Sequence, residues 1–100
     1  MTTTEPGRLA AHVLLDAASI GLDTDETVIV DRAVDHLNQT GCCTALYDDE
    51  TDTSVVDISN LAGGTLVLHD VLIKQIVELT GKEREVVVAE TRELLDAELE

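Results

Sequence analysis

A chain of 100 residues is the length of one domain and too short to hold two independent hydrophobic cores. Its 21 acidic residues against 6 basic ones give a net charge of −15, a sign that disfavours nucleic-acid and anionic-membrane binding, since both need a basic surface. Apolar residues make up 44% of the chain, but Tyr47 is its one aromatic, so burial has to come from many aliphatic contacts, and dimerisation is a natural supplement.

After a polar start, Met1 to Glu5, read as a disordered N-terminus, the first amphipathic helix places Leu9, Ala10, Val13, Leu14, Ala17 and Ile20 on one face. Gly21 is its predicted stop, with Leu22 folding back on the last turn. Asp23-Thr24-Asp25-Glu26 reads as a capping box opening a second helix. That helix turns Ile29, Val30, Ala33, Val34 and Leu37 inward and Asp31, Arg32 and Asp35 outward, and Gly41 closes it.

Residues 42–58 are open between two readings. Cys43, Ala45 and Tyr47 alternate with polar or smaller neighbours, and Val55, Val56 and Ile58 form a second apolar run, which suits a β-hairpin. The acidic link between them lacks an Asn-Gly or Asp-Gly pair, which leaves an irregular loop with a helical turn as the alternative.

Helical signal returns at Ser59 and is interrupted by Gly63-Gly64, so Thr65 is the expected cap of a third helix running to Thr80. That helix is apolar nearly all round, the pattern of a central element or of half a dimer interface, with Leu68, Leu72 and Ile76 as the interface candidates. Gly81 ends it. Lys82 to Leu99 forms the last helix, with Val87, Val88, Thr91, Leu94, Leu95 and Leu99 on one arc and Glu85, Glu90, Glu93, Asp96 and Glu100 on the other. The short link through Gly81 makes these two helices an αα-hairpin. The expected fold is mainly α: a compact bundle of about four helices in a single domain, with a small hairpin between helices 2 and 3.

Motifs for chemistry are weak. Cys42 and Cys43 are adjacent, which strains a disulfide, so both are expected as free thiols. With His12, His36 and His69 they supply zinc-binding residue types without zinc-site spacing. Asp48, Glu50, Asp52 and Ser54 alternate as in the first half of a calcium loop. Thr53 stands where the loop needs Gly, and Ser59 where it needs Glu. His12 and Asp16 read as a surface pair, since no strained nucleophile turn, phosphate loop or nucleotide fingerprint accompanies them. Asp57-Ile58-Ser59-Asn60-Leu61 does not reproduce the Asp-Ser-Leu motif of acyl carrier proteins. No cofactor, metal or catalytic residue is expected.

The acidic arc of the last helix is the most informative surface. Glu90, Glu93 and Asp96 are like-charge neighbours three residues apart, a locally unfavourable arrangement that a basic partner would relieve. The expected function is therefore a non-enzymatic acidic interaction module occupying a basic protein surface, as an inhibitor of the kind small phage proteins provide or as a DNA mimic. Its partner-binding residues are expected to be Glu85, Glu90, Glu93 and Asp96 together with Asp48, Asp49, Glu50 and Asp52. The alternative is a homo-oligomeric structural or assembly protein whose acidity serves only solubility. With no secretory leader pattern and no apolar run near the ~18 residues of a bilayer span, the expected location is the cytoplasm of a cell or host cell.

Overall fold

A computed structural model describes residues 3–20 and 26–99. The described residues are mainly α, with four helices and a two-stranded antiparallel hairpin between the second and third: α1 (Glu5–Ile20), α2 (Glu26–Thr40), β1 (Thr44–Asp48), β2 (Thr53–Asp57), α3 (Ser59–Thr80) and α4 (Arg84–Leu99). These elements form two units, residues 1–67 and residues 68–100. The expected stop at Gly21, the fold-back of Leu22 and the capping box Asp23-Thr24-Asp25-Glu26 up to Asp25 lie outside the described residues, as does Glu100.

In the first unit, Thr4 opens α1. Its hydroxyl accepts a hydrogen bond from the Gly7 amide at 3.2 Å, satisfying one of the unpaired donors of a first helical turn. The same hydroxyl donates to Asn60 Oδ1 of α3 at 2.8 Å. Further along, α1 packs beside α2. Among the described residues of this unit the buried positions are Gly7, Ala10, Ile29, Cys42 and Gly64, all but Ile29 small. Of the positions predicted to face inward, Val13, Leu14, Ala17, Ala33 and Leu37 are half-buried, whereas Leu9, Ile20, Val30 and Val34 are exposed. Two helices side by side cannot enclose a wide apolar arc on both members.

Gly41 closes α2 in the left-handed conformation, φ 76°, as its position after the last turn predicts. The open question at residues 42–58 resolves as a hairpin. Ala45 pairs with Val56, Leu46 with Val55 and Tyr47 with Ser54, and β-branched residues fill much of the ladder. In place of an Asn-Gly turn, the Asp48 carboxylate accepts from the Glu50 amide at 2.9 Å, and Asp52 takes a left-handed φ of 53°, which a short polar side chain tolerates.

The hairpin runs almost directly into α3. Asp57 Oδ1 accepts from both the amide and the hydroxyl of Ser59, at 2.9 and 2.7 Å, and these two bonds hold the Asp57 carboxyl below the ordinary aspartate range. Helix α3 therefore begins at Ser59 and passes through Gly63 and Gly64, so the expected start at Thr65 is corrected. Thr65 instead donates back to the Leu61 carbonyl at 2.8 Å. Two glycines cost helix stability. Gly64 offsets that cost by allowing the Gly7 backbone to approach more closely than any side chain would permit.

The second unit is an αα-hairpin made by the remainder of α3 and by α4, joined through Gly81 at φ 69°. Helix α4 starts two residues later than its pattern suggests, with the amides of Val86 and Val87 both donating to the Glu83 carbonyl at 3.1 Å. Among the described residues of this unit only Val87 is fully buried. Val88 is half-buried, and Thr91, Leu94 and Leu95, expected on the inward arc, are exposed.

Candidate functional site

Two acidic clusters and two apolar grooves stand out on this framework. The first cluster is the tip of the hairpin, where Asp48, Asp49, Glu50 and Asp52 are exposed within one turn. Two of these carboxylates also build the turn, Asp48 through the Glu50 amide and Asp52 as acceptor of the Tyr47 hydroxyl. The Tyr47–Asp52 hydrogen bond raises the phenol above its ordinary range, because a phenolate beside a carboxylate would lose the bond and meet a like charge. No Lys or Arg occurs between Arg32 and Lys74, so nothing in the local sequence neutralises this tip.

The second cluster is the outer arc of α4, where Glu85, Glu90, Glu93 and Asp96 are all exposed. Glu90 differs from the others. Lys82 Nζ donates to both of its carboxylate oxygens, at 2.9 and 3.0 Å, so Glu90 already holds a cation of its own chain. The hairpin tip belongs to the first unit and the α4 arc to the second. Each unit thus holds four of the eight sequence-predicted acids.

Asp70 escaped the sequence reading as a structural hub. Its carboxylate takes Lys74 Nζ at 2.9 Å and Arg84 Nη2 at 2.8 Å, tying α3 to the first turn of α4. Lys74 first and Arg84 second hold this carboxyl below the ordinary aspartate range. The four-residue spacing of Asp70 and Lys74 was legible; the arrival of Arg84 depends on how α4 folds back. Near the start of α1, Arg8 pairs with Glu5 at 2.6 Å. Four of the six basic residues are therefore engaged by carboxylates of the chain itself.

Both grooves are apolar and open. The α1–α2 groove, about 500 Å³, lies between Leu14, Ala17 and Ala18 on one side and Val30, Ala33 and Val34 on the other. The α3–α4 groove, about 340 Å³, is walled by Leu72, Ile73 and Ile76 opposite Val88 and Leu95, with Arg92 on its lining. Of the interface residues expected from sequence, Leu72 and Ile76 line this second groove, and Leu68 is half-buried on the same helix.

His12, His36 and His69 are exposed on three different helices. Cys42 is buried and Cys43 half-buried, both as free thiols with their sulfurs 3.7 Å apart. Desolvation, then the neighbouring Cys42, pushes the Cys43 thiol above its ordinary range, which is opposite to the direction a reactive nucleophile needs. Among the described residues, no three His, Cys, Asp or Glu side chains converge as a metal site would require, and no helix is long and apolar enough to cross a membrane. No family model, curated protein or solved structure matches the chain.

Proposed function

We propose that this chain is a non-enzymatic, acidic protein–protein interaction module that acts in the cytoplasm of a cell or host cell by occupying a basic surface of another protein. The observation that supports this most is the outward placement of charge. The carboxylates of the α4 arc and the hairpin tip are exposed, while most of the few basic side chains are consumed in internal pairs. A surface of this kind raises the encounter rate with a cationic partner and repels nucleic acid. Where the partner's basic surface ordinarily binds DNA or RNA, the same carboxylates stand in for phosphates, and the module acts as a DNA mimic or inhibitor.

The test is capture of partners from native extract at low salt and again near 0.5 M salt, where screening shortens to about 4 Å. It is repeated with Glu85, Glu93 and Asp96 changed to Lys, and separately with Asp49 and Glu50 changed to Lys. A stoichiometric basic partner, lost on raising the salt and lost with one of the two reversed clusters while circular dichroism is unchanged, is the expected result. A partner retained by both reversed variants would remove the electrostatic basis of this reading.

A further inference from the structure

The α3–α4 groove belongs to an αα-hairpin that cannot cover its own apolar side chains. Two antiparallel helices offer each other one narrow seam, and helical folds normally close by adding a second layer. Here that layer is missing within the unit. Leu72 and Ile76 are each 40% exposed, Leu95 57% and Leu79 86%, and Ile73 and Val88 beside them are half-buried.

We propose that a second copy of the same helix pair seats on this groove, making a symmetric dimer in which the two αα-hairpins form a four-helix layer. Area is the first argument. A standard interface takes ~800 Å² from each partner, and at the ~65% apolar character of homodimers that amounts to ~500 Å² of apolar surface per copy. The exposed fractions of Leu72, Ile76 and Leu95 in the groove, with that of Leu79 beyond its end on the same stripe of α3, supply an area of that order.

Charge is the second argument, and it selects this groove over the one between α1 and α2. Residues 1–67 contain twelve acids with Arg8 and Arg32 as their only cations, whereas residues 68–100 contain nine acids with Lys74, Lys82, Arg84 and Arg92. Two copies therefore repel least through the second unit. Arg92 lines the groove as its one charged residue, and its long side chain lets the guanidinium stay in water at the rim while its stem packs on the apolar wall. The acids Glu90 and Glu93 lie on the opposite arc of α4 from Val88 and Leu95 and stay in water. This dimer does not depend on the acidic-partner reading: it makes no use of those carboxylates.

The experiment is sedimentation equilibrium of the full chain from micromolar to near-millimolar concentration. The expected species has twice the 10.7 kDa of one chain. Leu95→Glu and Leu79→Glu should each raise the dimer dissociation constant ~100-fold or more, because each would bury an unpaired charge in the contact. Leu79 is already so exposed that a glutamate there leaves a monomer folded, which keeps the test valid if Leu95→Glu unfolds. Val34→Glu, on the equally apolar α1–α2 groove, should leave the dimer unchanged. A monomer at every concentration, or a dimer insensitive to both Leu79→Glu and Leu95→Glu, overturns the proposal, as does a dimer dissociated by Val34→Glu alone.

Discussion

Gly64 of α3 lies directly against the backbone of Gly7 in α1: a Cβ built on Gly64 would meet the Gly7 carbonyl oxygen, with the carbonyl carbon only 2.8 Å away. The adjacent Gly63 would meet nothing nearer than the Thr3 hydroxyl at 3.6 Å, an ordinary contact. Both residues sit in one helix, where exchange of Gly for Ala normally stabilises by up to ~1 kcal/mol. The two substitutions should therefore differ in sign. Gly63→Ala should stabilise by ~0.5–1 kcal/mol. Gly64→Ala should destabilise by ~1–3 kcal/mol, since backbone must move to admit the methyl group. Urea titrations of the two variants decide it, and equal effects would show that the close approach is absent.

Thr4 serves two helices with one hydroxyl, as acceptor for Gly7 and donor to Asn60. Thr4→Ala should cost ~1 kcal/mol for the lost cap alone. Thr4→Ser, which keeps the hydroxyl, should recover most of it. Amide exchange at Gly7 reports the cap directly, and unchanged protection in Thr4→Ala would refute it.

Tyr47 is the only aromatic residue, so its ionisation can be followed by ultraviolet absorbance without interference. Held by the Asp52 carboxylate, the phenol should titrate above the usual value of ~10. Asp52→Asn removes the charge but suits the left-handed backbone at this position, so the titration should move back toward the ordinary value. No movement would mean that the hydroxyl points elsewhere in solution.

Acid should loosen the second unit through Asp70. Its carboxyl binds a proton less readily folded than unfolded, so the ion pairs with Lys74 and Arg84 contribute fully above the unfolded value near ~3.9 and are lost as pH falls through the lower folded value. Amide protection in the first turn of α4 should fall across that acid range in the parent. In Asp70→Asn it should be weaker at neutral pH and nearly flat with acidification. Identical pH profiles would show that these pairs hold nothing.

The fold was legible where one local cause determines the outcome. Gly41 and Gly81 end helices because only a left-handed residue completes such a stop, and the apolar spacing of α1, α2 and α4 marks them as helices without any tertiary information. Two things were not local. Gly63-Gly64 reads as a break until Gly7, more than fifty residues earlier, supplies the reason for glycine inside a helix. Periodicity also identifies an apolar arc without saying that a neighbour covers it: Val34, Leu94 and Leu95 lie on such arcs and remain in water. The acidic clusters were visible as composition, but the capture of Glu90 depends on how Lys82 enters α4, and that of Asp70 by Arg84 on α4 folding back on α3.

The small number of buried side chains among the described residues, Ala10, Ile29 and Cys42 in one unit and Val87 in the other, bears on the lifetime of the chain in a cell. Proteases act on opened states, and a fold with so few enclosed contacts opens often. Anything that covered the grooves would bind the closed form and lower the opened fraction as its concentration rose. A second copy seated on the α3–α4 groove would be such a cover, so the fraction of the chain lost to proteases should fall as its own concentration rises.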